Sequence, residues 1–338
     1  MFGGNPVGGT ECGGIGEGGI AGQYLVRLAD RIEMCDYSGI GSGQGLASVS
    51  LANVARDMVA VTVVGSVNLD LVMRVKSLPV PGETVSGGVF SRHPGGKGGN
   101  QALAARRLGA DVALVAAVGD DEAAEIALAL LEDEGVDLSR CWAHESLPTG
   151  TAIIIVSENG ENSIAVAPGA NRSLTPDAVE LKSGESVICQ LEIPIETVSA
   201  VAATCSGFLC VNAAPARQVP TEVLRRADLL VVNEVEHAAL GDALEECKGL
   251  VAITRGPAGA VLFRHGRQVA AAVPPPVDAV DTVGAGDCLV AALTVGLLDD
   301  LTPEVALTRA VAAGALATTR EGAQTSLPTR DQVDSMLR

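Results

Sequence analysis

From Met58 onward the chain alternates short runs rich in β-branched residues with longer segments of helical spacing, and this alternation most restricts what it can fold into. "VAVTVVGSV", "VALVAAVG", "SVICQL", "FLCVN", "DLLVVN" and "LVAIT" read as apolar strands. "GNQALAARRLGA" and "DEAAEIALALLEDEG" repeat apolar residues at helical intervals. Strands that are apolar on both faces must be covered on both, and a strand-helix-strand rhythm supplies the covering helices. The expected fold is α/β, a doubly wound and mainly parallel sheet sandwiched by helices. Two stretches break the rhythm, at about 71–93 and 149–168. Both are strand-rich, and Asn159-Gly160 marks a hairpin between two apolar runs. They are expected to form a small β-sheet lid over one edge of the main sheet, of the kind that keeps water from a reacting group.

Residues 1–57 are glycine-rich and are expected to be a poorly ordered extension, leaving 58–338 as the folded domain. The extension contains G-x-G-x-x-G at Gly14 to Gly19, but no strand precedes it, so it reads as composition and not as a dinucleotide site. Nucleic acid is excluded as a partner by a net charge of −18 and by aromatics at only 2%, since phosphates need clustered cations and bases need rings to stack on. The eight cysteines form no C-x-x-C pair and the four histidines complete no zinc spacing, which suggests reduced core thiols and a cytoplasmic location. No apolar run reaches the length of a membrane span, so no membrane partner is expected.

Polar residues recur where strands should end: Asn68 and Asp70 after the first strand, Glu192 in "QLE", Asn233 and Glu236 in "VVNEVE". Singly, each reads as a turn former or helix cap. Together they fall on one rim, where open α/β sheets bind ligands. "GGKGGN" (95–100) is no Walker A loop, because Lys97 is followed by Gly98. Its glycines allow close approach of backbone to a ligand, and Asn100 can bond a hydroxyl. Acceptors on Asp70 and Glu192 with donors on Asn68 and Asn100 suit a polyhydroxylated molecule, and a sugar fits. "DTVGAGD" (281–287) is a glycine turn opening an apolar helix, a place for anions, yet it carries Asp287, itself an anion.

"GSVNLD", "PGETV", "GGKGGNQALAARRLGA", "VGDD", "QLEIP", "NAAPA", "NEVE", "TRGPAG", "DTVGAGD" and "EGAQTSLP" occur in the order found in the PfkB carbohydrate kinases, which the chain resembles over about residues 60–330. The resemblance is closest to members that phosphorylate ribose. It implies transfer of the γ-phosphoryl of ATP to O5 of D-ribose, giving ribose 5-phosphate. Asp287 would be the general base, and the N–H groups of Gly284, Ala285 and Gly286 the anion hole, because nucleophile and phosphoryl must meet there. By the same resemblance Asn68, Asp70, Gly96, Lys97, Gly98, Gly99, Asn100 and Glu192 contact the sugar. Thr254, Arg255, Gly256 and Gly259 hold the nucleotide, with Asn233 and Gly286, while Glu236 positions Mg²⁺ through water. Asp281, Val283, Ala317, Arg320, Gly322 and Ser326 match a K⁺ site built largely from carbonyls, and a homodimer through the lid is implied.

Departures from the family pattern are the short segment between Asn233 and Thr254, and Val311 where a His or Asn often faces adenine. Two alternatives stay open on sequence: a PfkB kinase for another sugar or a nucleoside, and a catalytically silent sugar-binding regulator.

Overall fold

The computed structural model describes residues 58–338; the expectation of an ill-ordered glycine-rich extension at 1–57 lies outside the described residues. The chain opens with β1 (Ala60–Val64), β2 (Asn68–Val75), β3 (Val89–Gly95), α1 (Lys97–Arg107), β4 (Asp111–Gly119) and α2 (Glu122–Asp133). There follow β5 (Asp137–His144), β6 (Gly150–Ser157), β7 (Asn162–Ala167), β8 (Ser186–Gln190), α3 (Ile195–Thr204), β9 (Leu209–Asn212) and α4 (Thr221–Arg226). The last part holds β10 (Leu229–Asn233), α5 (Glu234–Leu240), β11 (Leu250–Thr254), β12 (Ala260–Arg264), β13 (Arg267–Ala272), α6 (Ala285–Leu298), α7 (Pro303–Ala317) and α8 (Arg330–Met336).

The main sheet has 9 strands in the order β13-β12-β11-β10-β9-β8-β1-β4-β5. From β5 to β11 every pairing is parallel, and β12 and β13 add an antiparallel hairpin at one edge. Alternation along the strands divides the core in two. Val61, Val63, Leu114, Ile188 and Val231 point into a cluster with α1, α2, α6, α7 and α8. Their neighbours Val64, Val115, Val187, Cys189 and Val232 point the other way, against α3, α4 and α5. Helix α6 is buried on nearly all sides, from Asp287 to Gly296. Alanine-rich α7 packs beside it, and small side chains let the two helices approach closely. Among the described residues no helix is long and apolar enough to cross a membrane.

The second sheet has 4 strands in the order β3-β2-β6-β7. It is the expected lid, and the Asn159-Gly160 turn joins β6 to β7. One expectation is corrected here: Asn68 and Asp70 do not end the first strand. β1 stops at Val64, and both residues stand on β2 in the lid. The break falls at Gly65, where any Cβ would collide with the Gln190 side chain, so the backbone turns out of the sheet. The β5 strand and the β12–β13 hairpin had no clear signal, because Asp137, Arg140, Arg264 and Arg267 interrupt their apolar runs.

Helix α1 begins where the two sheets meet. A Cβ at Gly98 would lie 2.6 Å from the carbonyl carbon of Gly65 and from the backbone N and O of Ser66. Backbone cannot rotate away as a side chain can. Gly98→Ala should therefore lower stability by about 1–3 kcal/mol, the usual range for overpacking that forces a backbone shift. Urea unfolding checks this, and an unchanged midpoint would show that the contact is not tight.

Candidate active site

The carboxyl ends of β11, β10, β9, β8 and β1 present Thr254, Asn233, Asn212, Gln190 and Gly65 in adjacent positions, and the site is assembled above them. The lid contributes from one side. Asn68 pairs in register with Gly95 and Gly150, and Asp70 with His93 and Ala152. The glycine run 95–99 opens α1 beneath the lid, and much of the room its missing side chains leave is taken by the protein itself. A Cβ at Gly95 would collide with the Asp70 carboxylate, and one at Gly96 (φ 84°) would come within 2.7 Å of the Asn68 nitrogen. These glycines let α1 approach the strand that carries two candidate sugar ligands.

Asp287 sits in the first turn of α6 and is 6% exposed. Its Oδ2 accepts from Asn100 Nδ2 at 2.8 Å and its Oδ1 from Gln101 Nε2 at 2.9 Å. Both donors are uncharged amides on α1, so the carboxylate is held without being neutralised. Gly284 caps α6 in the left-handed region (φ 80°), and a Cβ there would press within 3.0 Å of Ala323. The expected anion hole needs one revision. The Ala285 N–H is turned back to Thr282 O at 3.3 Å. The N–H groups of Gly284 and Gly286 carry no hydrogen bond among the described residues, as the first turn of a helix leaves them. A Cβ on Gly286 would meet nothing within 4 Å, so the backbone is open on that side.

Four carboxylates share this small volume. Lys97 stands among them: the Asp287 charge, against burial and with Glu192, Glu236 and Asp70 adding, raises its pKa and keeps it cationic. Glu192 Oε2 accepts from Ser66 Oγ at 2.5 Å and from the Lys97 N–H at 3.2 Å. Asp70 is 7% exposed and has no hydrogen-bond partner among the described residues. Burial first, then Glu192 and Asp287, push its carboxyl up to about 7, with Lys97 partly offsetting. Asp70 also lines a cavity of about 420 Å³ between the lid and residues 279–283, alongside His93, Ile154 and Asp281. Asn100 Oδ1 is buried without a partner. Unfilled acceptors on Asp70 and Asn100 invite hydroxyl donors.

Asn233 and Glu236 form a capping box at the start of α5. Asn233 Oδ1 accepts from the Glu236 N–H at 2.9 Å, and Glu236 Oε2 accepts from the Asn233 N–H at 2.7 Å. Glu236 Oε1 takes a further bond from Asn233 Nδ2 at 3.0 Å. Thr254 pairs with Asn233 across the strand ends, and Arg255 leads into a turn with Gly256 and Gly259 at φ 52° and 87°. Asp281 stitches two loops together: Oδ1 accepts from the Val283 N–H at 3.1 Å and Oδ2 from the Gly322 N–H at 3.0 Å. Ala317, the last residue of α7, is buried, as are Gly322 and Ser326 in the loop that follows, and Arg320 is exposed. Val311 is 3% exposed, in the α7 core.

Sequence reasoning passed over the residues that hold these groups. Gln101 and Gln190 are fully buried, and Gln190 Nε2 donates to Gln101 Oε1 at 2.7 Å. Asn171 bonds the Val67 N–H at 2.9 Å and donates from Nδ2 to Asn68 Oδ1 at 2.8 Å, turning the Asn68 amide donor outward. The available signal was polarity inside apolar segments: Gln101 within "NQALAARRL" and Gln190 closing "SVICQ".

A carboxylate and unbonded helix N–H groups thus lie at one helix start, beside a buried cluster of acceptors and amides. The chain matches the pfkB family carbohydrate kinase over residues 58–330, and it belongs to that family. Its relatives include a ribokinase of Bacillus subtilis (strain 168), 38% identical over 291 residues, covering 82% of this chain and 99% of that protein. Among solved structures it is similar to a ribokinase from Thermotoga maritima (TM-score 0.75, 31% identity, 83% of this chain and 99% of that chain). It is also similar to the Arabidopsis thaliana ribokinase complexed with ribose and ATP (TM-score 0.72, 30% identity, 83% and 99% covered).

An aspartate that ionises near 4 when unfolded and at about 7 when folded binds more protons in the folded state between those values, so its contribution to stability falls as pH rises through that window. Asp70→Asn removes this dependence. Relative to the parent, the variant should gain on the order of a few kcal/mol between pH 4.5 and pH 8. Denaturant unfolding at both values measures the difference, and a pH-independent difference would refute it.

Proposed function

We propose that the chain catalyses ATP-dependent phosphorylation of D-ribose at O5, giving ribose 5-phosphate and ADP. The observation that carries this reading is Asp287: a buried carboxylate held by two neutral amides, one turn from unbonded N–H groups. Asp287 takes the proton of the O5 hydroxyl as that oxygen attacks the γ-phosphorus. The bond from phosphorus to the β,γ-bridging oxygen breaks, and ADP leaves with that electron pair. The Gly284 and Gly286 N–H groups stabilise charge on the transferring group, at the positive end of α6. Asn68, Asp70, Asn100 and Glu192, with backbone of Gly96, Gly98 and Gly99, hold the sugar hydroxyls. Lys97 offsets the charge that nucleotide and carboxylates bring together. Asn233, Thr254, Arg255, Gly256 and Gly259 border the nucleotide. The ribokinase complexed with ribose and ATP supports this choice of substrates.

A magnesium ion that arrives on the nucleotide keeps several of its waters. Glu236, 5% exposed with each oxygen already taking one N–H, has lone pairs left for such waters. Mg²⁺ bound there supplies neutralisation of phosphate charge. For K⁺, the joined loops offer oxygen donors at Asp281, Val283, Ala317, Arg320, Gly322 and Ser326. A cation among them would stiffen the turn that Gly284 closes. The lid's free edge leaves Ile164 and Val166 53% and 51% exposed, and we assign this surface to a second copy of the chain. Buried free thiols such as Cys189 and Cys210 agree with a reducing, cytoplasmic setting.

The decisive assay is ATP turnover with a panel of sugars. D-Ribose should exceed 2-deoxyribose in kcat/KM, because a lost hydroxyl leaves buried acceptors unpaired at about 1–3 kcal/mol each, and should also exceed fructose and adenosine, whose added carbon or base must fit beneath the lid. A hexose or nucleoside at the top of the panel would overturn the assignment of ribose. Asp287→Asn should lower kcat about 10²–10⁴-fold. Near-normal kcat in that variant would remove Asp287 as the base. Activity is expected to be higher in K⁺ than in tetramethylammonium, and equal rates would exclude the cation site. Analytical ultracentrifugation should give a dimer that Ile164→Glu converts to monomer; a monomeric parent would refute the lid interface.

A further inference from the structure

The reaction assigned above uses Asp287, Asn100 and the helix turn, but it leaves unexplained a set of polar side chains sealed beneath them. Gln101 and Gln190 are both 0% exposed and Asn212 is 7% exposed. Three amides buried between α1 and the carboxyl ends of β8 and β9 are costly unless every group is bonded, and here one is not: Gln190 Oε1 is buried without a partner. Packing alone would favour an apolar residue there.

Their orientation is not free. An amide looks alike from either end, but the Asp287 carboxylate accepts only, so Gln101 must turn its NH₂ toward Oδ1, at 2.9 Å. The second hydrogen of that NH₂ goes to Asn212 Oδ1 at 3.1 Å, which turns the Asn212 NH₂ to the Val231 carbonyl at 3.4 Å. Gln101 Oε1 then faces Gln190, which must present its NH₂, at 2.7 Å. This leaves Gln190 Oε1 against Gly65, where even a Cβ would not fit. One charge thus sets the direction of three amides, from α1 through β8 to β9.

We propose that Gln101, locked by Gln190 and Asn212, is a positioning residue that fixes the Asp287 carboxylate in its reactive orientation. This rests on the reading of Asp287 as the base. The arrangement answers a specific need. A base in the first turn of a helix can swing about χ1 and χ2, and Asn100 alone, which also faces the sugar site, cannot hold it while it serves substrate. A donor that touches no substrate pins one oxygen and leaves Oδ2 free to exchange its Asn100 bond for the hydroxyl proton.

The test is steady-state kinetics on the full chain with ribose and ATP, with Tm for each variant. Gln101→Met keeps length and apolar packing but removes the donor. It should lower kcat about 10–10²-fold, the range for a misplaced reacting group, with ribose KM within about threefold of the parent. Gln101→Glu keeps shape but presents an acceptor to a carboxylate, and should be slower still. Gln190→Met acts only through Gln101, so it should lower kcat several-fold and add nothing to Gln101→Met in the double variant. If Gln101→Met fails to fold, Gln190→Met alone decides: a lowered kcat at unchanged KM supports the proposal, and an unchanged kcat overturns it. Loss appearing only in KM, or additive effects in the double variant, would also overturn it. Asp287→Ala separates the two ideas. If it abolishes turnover while Gln101→Met turns over normally, positioning fails and the base stands; if it retains turnover, the base itself is wrong.

Discussion

Much of this structure depends on one contact between two helix starts: the Asp287 carboxylate at the head of α6 and the paired amides of Asn100 and Gln101 on α1. Burying a carboxylate is unfavourable unless the charged form is solvated by something, and here it is solvated by the protein. The need to bring those amides within 3 Å of Asp287 fixes how α1 packs on α6. That packing in turn requires glycine at 98, because α1 must lie against the backbone of Gly65 and Ser66. The lid enters and leaves at the same point, so its ligands are placed by the same contact.

Charge balance is the second constraint. Asp70, Glu192, Glu236 and Asp287 surround the single cation Lys97, in a chain whose net charge is −18. The protein does not cancel this negative field with more lysines. It relies on backbone N–H groups at the α6 turn and on hydrogen bonds from Ser66, Asn233 and the two amides. Partial charges fixed in place hold a carboxylate without forming a competing ion pair with it. The raised pKa of Asp70 is the residue of that compromise: burial first, then the charges of Glu192 and Asp287, favour its neutral form.

The capping box at Asn233 and Glu236 gives two of the candidate site residues a structural role. Their side chains satisfy the first turn of α5, which accounts for their presence without any ligand. The same bonds hold Glu236 nearly buried at the carboxyl edge of the sheet, beside Thr254 and within the field of Lys97. A cap of this kind keeps a carboxylate rigid.

The sequence by itself determined the layered α/β architecture, because β-branched runs such as "VAVTVV" and "VALVAAVG" have no polar face and must be sandwiched, and it marked the lid through Asn159-Gly160. It also carried "GGKGGN" and "DTVGAGD", whose residues identify the family. What only the tertiary structure decided were contacts between residues far apart in the chain. Local pattern placed Asn68 and Asp70 at the end of β1, whereas Gly65 meeting Gln190 sends them into the other sheet. No spacing rule links Gln101 to Gln190, Asn212 and Asp287, because their bonds span 89 to 186 residues. The Ala285 N–H turns back to Thr282, a matter of turn geometry that residue types do not specify. Periodicity reports which face of an element is buried; which polar groups meet inside is set by how the elements are packed.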